Sequence, residues 1–294
     1  MALFAVRDVE ASVPANGRFS LRMGLLPTRS ILPVAGGRAG VPVRPFALTN
    51  NIPWTTNRAV LPKKLRVLIL GNSLTGDNEL AGVINKMSIG GKFPIEATAR
   101  TPDGYILENH FNNLQSRLAI SYTVRDPLSL TNRHPWDAVI LQEHSLMPVL
   151  NWVTSLNSMR KLDRAIRDAR SQTMLFMTWA RPHGIFGHRE FLTRTDQAYQ
   201  LFSQQLNAPV AWGGWAVELA ESRRPTLKLR QSNNINPTAH GTYLTACVLY
   251  AYLTWQSPVG LNNGGLFVVQ SDEMRFLQGI AWEIFQWRKT GLPF

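Results

Sequence analysis

Ser73 is the residue of this 294-residue chain best placed to act as a nucleophile. It follows the apolar run Leu65-Arg66-Val67-Leu68-Ile69-Leu70 and the break Gly71-Asn72, where a strand gives way to a turn and a helix. The carboxyl ends of strands in an open α/β sheet form the ligand crevice, and a helix N-terminus there favours developing negative charge. A serine hydroxyl attacks only when a neighbouring base takes its proton and donors await the oxyanion. Gly-Asn-Ser alone reads equally well as a turn or a helix cap. The imidazole bases available are the histidines at 110, 134, 144, 183, 188 and 240. They lack metal-ligand spacing; His183, His188 and Glu190 come nearest, in a glycine-containing stretch from Arg181 to His188 whose simpler reading is a solvated loop. Neither a metal nor a cofactor is expected. The single cysteine, Cys247, excludes an intrachain disulfide, and its apolar setting predicts a buried thiol.

Positioning Ser73 requires a frame, and the sequence supplies one in alternating elements. Short apolar runs recur at Ile95 to Ala99, Asp137 to Gln142, Thr173 to Thr178 and Pro209 to Trp212. Between them lie stretches with helical spacing: one to about Ser88 with Asp77 as its candidate N-cap, then Leu107, Phe111, Leu114 and Leu118, then Leu156, Met159, Asp163 and Ile166. This alternation predicts a parallel sheet covered by helices on both faces, an α/β fold. Two further helices are expected near Gly241 to Trp255 and Asp272 to Lys289, the second presenting Phe276, Ile280, Ile284 and Trp287 as a packing face.

Three segments taken together resemble the first, third and fifth blocks of the SGNH (GDSL-like) hydrolases: Leu68-Ile69-Leu70-Gly71-Asn72-Ser73-Leu74-Thr75, Asp137-Ala138-Val139-Ile140-Leu141-Gln142-Glu143-His144-Ser145, and Asn236-Pro237-Thr238-Ala239-His240-Gly241 with the residues that follow. The resemblance spans about Leu65 to Gly260, with support from Met177 to Pro182 and Ala208 to Ala216. It implies a three-layer α/β/α sandwich around a mainly parallel five-stranded sheet, a flavodoxin-like arrangement. It also implies Ser73 as the nucleophile, with Gly104 and Gln142 as the oxyanion donors. The family's Asp and His fall at Asn233 and Asn236, and a carboxamide has no nitrogen that titrates near neutral pH. General-base assistance of roughly two to four orders of magnitude is therefore missing from its usual place. His144, in the third block, and His240, one helical turn past Asn236, are the substitute bases to consider.

Residues 1–62 lie outside the resemblance. Arg7, Arg18, Arg22, Arg29, Arg38, Arg44 and Arg58 face only Asp8 and Glu10, and prolines at 14, 27, 33, 42, 45, 53 and 62 deny a helix of ordinary length. An extended arm is expected ahead of a hydrolase-like domain at 63–294. The arm's composition also fits a transit peptide, against which Asp8 and Glu10 stand. A net charge of +12 favours an anionic partner, nucleic acid or an acidic glycan, or a protein-docking surface. The pairs Lys63-Lys64 and Arg223-Arg224, and Lys228 with Arg230, carry no interleaved aromatics of a stacking platform. No run reaches the apolar length of a membrane span. The expected role is a catalytically inactive, structural or binding subunit of a large assembly, a virion particle or an organellar complex, held through residues 1–62 by other protein subunits. The alternatives are a working ester hydrolase of the carbohydrate O-acetyl type, using Ser73 with a non-standard histidine, and a glycan-binding module.

Overall fold

The structure, a computed structural model, describes residues 64–121, 124–125, 132–133, 136–181 and 184–290. The expected arm, residues 1–62, lies outside them, as do His134 and His183. In chain order the strands are β1 (Leu65–Leu70), β2 (Ile95–Arg100), β3 (Val124–Arg125), β4 (Asn132–Arg133), β5 (Ala138–Gln142), β6 (Gln172–Phe176) and β7 (Val210–Ala211). The strands β2-β1-β5-β6-β7 form one sheet in that order, parallel at every pairing; β3 and β4 pair separately and antiparallel. The expected apolar runs fall on these strands, with ends displaced by a residue or two.

The helices are α1 (Ser73–Gly76), α2 (Leu80–Ser88), α3 (Leu107–Asn112), α4 (Leu114–Ser121), α5 (Met147–Leu150), α6 (Trp152–Asp168), α7 (His188–Leu206), α8 (Gly213–Arg223), α9 (Ala239–Thr254) and α10 (Ser271–Thr290). They fall into two packed sets: α2, α8, α9 and α10 touch one another, and α3 to α7 touch one another. A sheet covered on both faces explains why β5 is buried at all five residues instead of alternating. The same logic makes α9 apolar all round: it is buried from Gly241 to Thr254, Cys247 included, between the sheet and α10. No helix among the described residues is long and apolar enough to cross a membrane.

Two local expectations are corrected. Asp77 does not cap a helix start. The helix begins at Ser73, capped by the Asn72 side chain, which accepts from the Leu74 amide; Asp77 follows this turn. Asn78 and Glu79 then take left-handed backbone conformations (φ 55° and 53°) before α2 begins. The expected loop ends at His188, where α7 starts, and His188 Nε2 pairs with Glu218 at 2.8 Å. No three histidine, cysteine, aspartate or glutamate side chains among the described residues gather as a metal site.

The strand order fixes where chemistry can happen. From β1 the chain moves outward to β2, then returns to the other side of β1 to lay down β5, so the order reverses between β1 and β5. Loops leaving two such strands diverge and open a crevice at their carboxyl ends. Gly71-Asn72-Ser73 leaves β1 there, and Glu143-His144 leaves β5 beside it. Gly71 has no room for a side chain, since a Cβ would collide with Thr75 Oγ1 and Gln142 Oε1. Gly71→Ala is expected to lower stability by ~1–3 kcal/mol through overpacking. Chemical denaturation reads this directly, and an unchanged midpoint would contradict it.

Candidate active site

Ser73 sits on a buried amide framework. Asn72 and Gln142 are 1% and 0% exposed, so every polar atom they carry needs a partner. Gln142 Oε1 accepts from the Asn72 amide at 3.0 Å and from Thr75 Oγ1 at 2.8 Å. Its Nε2 donates to Asn72 Oδ1 at 3.1 Å and to the Glu143 carbonyl at 2.8 Å. Asn72 Nδ2 donates to the Tyr105 carbonyl at 2.9 Å, which docks the loop carrying Gly104. His110, wholly buried, meets the Gly71 carbonyl through Nε2 at 2.7 Å and Ser116 Oγ through Nδ1 at 3.0 Å. A carbonyl only accepts, so the ring proton resides on Nε2, and burial holds the His110 pKa below its ordinary value.

The facing segment is built as a turn. Asn233 Oδ1 accepts from the amides of Ile235 at 2.8 Å and Asn236 at 3.0 Å. The Trp179 indole donates to the Ile235 carbonyl at 2.8 Å, and the Gln231 amide to the Asn236 carbonyl at 2.8 Å. Asn78 Nδ2 reaches the Pro237 carbonyl at 3.2 Å and Thr242 Oγ1 at 2.9 Å, joining the segment after Ser73 to the start of α9. The outcome is one contact between positions 163 residues apart: Ser73 Oγ donates to Asn236 Oδ1 at 3.4 Å. That is a long hydrogen bond to an atom that does not take up a proton near neutral pH.

The other expected site residues are placed differently. Gly104 adopts φ 69°, a left-handed conformation that favours glycine, with open space where a Cβ would be. Gln142 has both side-chain protons engaged beneath Ser73, so donating to an oxyanion would require it to give up one of them. His144 follows β5 at the same edge, half-buried. Its Nδ1 accepts from the Leu146 amide at 3.4 Å, and its pKa is lowered by burial and by the nearby Arg181 guanidinium, which keeps the ring neutral. His240 Nε2 is held by Glu273 of α10 at 2.9 Å. Neither histidine hydrogen-bonds Ser73.

Glu143 was not singled out by its sequence context, and nothing in the sequence marks it beyond its place at the end of an apolar run. Its carboxyl is 1% exposed at residue level and accepts from the Leu107 amide at 3.1 Å and the His144 amide at 2.7 Å. It thereby ties the start of α3 to the loop after β5. The hydroxyls of Ser155 and Tyr199 lie against it without a hydrogen bond of good geometry. Desolvation, with a smaller push from the Glu108 charge, outweighs the two amides and the Ser155 hydroxyl and raises the Glu143 pKa to about 7.

The five-stranded parallel sheet in the order β2-β1-β5-β6-β7, packed against helices, is a fold shared with solved SGNH-type hydrolase structures. A candidate SGNH hydrolase from Slackia heliotrinireducens superposes with a TM-score of 0.52 and 21% identity, covering 65% of this chain and 99% of that one. A DUF4886 family protein from Bacteroides uniformis superposes with a TM-score of 0.59 and 17% identity over 77% and 96% of the two chains. At these identities the likeness is one of fold. No protein-family model and no curated protein matches the sequence.

The buried carboxyl generates a pH prediction. With a folded pKa above the unfolded value near 4.5, the folded state holds the proton more tightly. The contribution of Glu143 to stability is therefore whole below about pH 4.5 and is lost as pH rises through about 7. Glu143→Gln, which keeps an oxygen for both amides, is expected to flatten the fall in denaturation midpoint between pH 5 and 8. Parallel pH profiles for the two proteins would contradict this.

Proposed function

We propose that this chain carries an SGNH-type domain that no longer hydrolyses esters by the usual serine route and serves as a binding or structural subunit of a larger assembly. The carrying observation is the contact of Ser73 Oγ with Asn236 Oδ1 at 3.4 Å. Where a base would stand there is an amide oxygen, and Asn233 behind it supports the turn without supplying charge. The remaining machinery is assembled but idle: a serine at a helix start, a tight glycine turn docked on Asn72, and a buried amide network. The arm at residues 1–62, rich in arginine and proline, and the net charge of +12 support attachment to protein subunits or an anionic partner, with a virion particle or an organellar complex as the setting. Ser73, Gly104, Gln142, Asn233 and Asn236 remain the positions through which any residual chemistry would run.

One observation favours the rival, an ester hydrolase with an unusual base. His144 is on the neighbouring loop and is kept neutral, the form a base needs. Hydrolysis of p-nitrophenyl acetate separates the readings. Wild type and Ser73→Ala are expected to be equally slow, and Asn233→Asp with Asn236→His together should gain about 10²-fold or more, the range of general-base assistance. Wild-type hydrolysis abolished by both Ser73→Ala and His144→Ala would overturn the proposal in favour of the rival.

A further inference from the structure

Arg181 is the charged group at this edge that the account of Ser73 leaves unused. It follows β6 by five residues, two past Trp179, whose indole holds the carbonyl preceding Asn236. It also lies close enough to His144 to act on it electrostatically, and the preceding Ala180 carbonyl accepts from Arg230 at 3.2 Å, so the residue sits at the carboxyl edge of the sheet beside the β5 loop.

What distinguishes Arg181 is that its charge is unmatched. Its Nε is buried without a hydrogen-bond partner, and no ion pair or hydrogen bond among the described residues engages the guanidinium. Other half-buried arginines are matched: Arg230 with Glu221, Arg288 with Asp196, and Arg194 with Glu190. The carboxylates of the flanking segments are engaged elsewhere. Glu221 is held by Arg230, which also donates to the Ala180 carbonyl at 3.2 Å, and Glu143 is occupied by the Leu107 and His144 amides. A guanidinium nitrogen buried without an acceptor is costly, and the planar fork fits two oxygens of one oxyanion.

We propose that Arg181 is the recognition cation for a ligand at the Ser73 edge, and that the ligand presents an oxyanion, a carboxylate or a phosphate, to its guanidinium. This rests on reading that edge as a binding crevice. The ligand's charge would offset that of Arg181, so its arrival is felt by His144: the imidazole, held down by the adjacent cation, should titrate higher once the oxyanion is bound.

The test is a nuclear magnetic resonance titration of the full chain, following the Arg181 Nε–H resonance and the His144 ring in a buffer free of carboxylate and phosphate. Acetate and phosphate form separate arms, and acetamide is the uncharged counterpart of acetate. Saturable shifts of Arg181 with acetate or phosphate, a rise in the His144 pKa and no response to acetamide are expected; the arm that responds identifies the oxyanion. Arg181→Gln should weaken binding about tenfold or more and uncouple His144. Arg181→Lys, which keeps the charge without the fork, should bind more weakly than wild type and serves if the glutamine variant fails to fold. No response to either anion, an equal response to acetamide, or undiminished binding by the variants would overturn the assignment. Assaying p-nitrophenyl acetate on the same samples separates the two claims, since hydrolysis would overturn the silent crevice while leaving Arg181 assigned.

Discussion

The hydrogen-bonded pair Asn72 and Gln142 joins the ends of β1 and β5 at the point where the sheet reverses its order. Gln142 Nε2 donates to Asn72 Oδ1, Gln142 Oε1 accepts from the Asn72 backbone amide, and the remaining donors and acceptors reach outward. Asn72 Oδ1 starts α1 through the Leu74 amide, Asn72 Nδ2 holds the Tyr105 carbonyl, and Gln142 Nε2 holds the Glu143 carbonyl. Because both residues are buried, removing either strands the partner's donors and acceptors, at a cost of about 1–3 kcal/mol for each group left unsatisfied. The Ser73 turn, the Gly104 loop and the strand end beneath them are thus held as one unit by stability alone. That unit persists whether or not any substrate is turned over.

The opposite wall answers to a different constraint. An aspartate at position 233 would accept the amides of residues 235 and 236, and Asn233 does the same with its carboxamide oxygen. The turn needs an acceptor there and makes no demand for charge. At position 236 the demand is again geometric: a side chain that reaches Ser73 Oγ. On the proposed reading, asparagines at these two positions keep the turn while offering no group that takes up a proton near neutral pH.

The sheet was legible in the sequence because its strands are buried on both faces and appear as unbroken apolar runs. Ser73 at the end of β1 followed from the same pattern. The helix start was misplaced because Asn72 and Asp77 are both capping residue types, and only the Gln142 network decides for Asn72. His240 appeared available because it lies one turn beyond Asn236; its Glu273 partner comes from α10, 33 residues later, a pairing that no local pattern encodes. Glu143 and His110 were passed over for the same reason. Their importance lies in burial and in partners such as the Leu107 amide and the Gly71 carbonyl, which only the packing of α3 against the sheet supplies.

On the proposed reading Ser73 is a nucleophile position without a base, and a single covalent test bears on it directly. Incubating the intact protein with a fluorophosphonate and weighing it by mass spectrometry reports directly on whether Ser73 is activated. An unmodified mass is expected, since among the described residues the Ser73 hydroxyl donates to the Asn236 amide oxygen alone. A stoichiometric adduct mapped to Ser73 would contradict it.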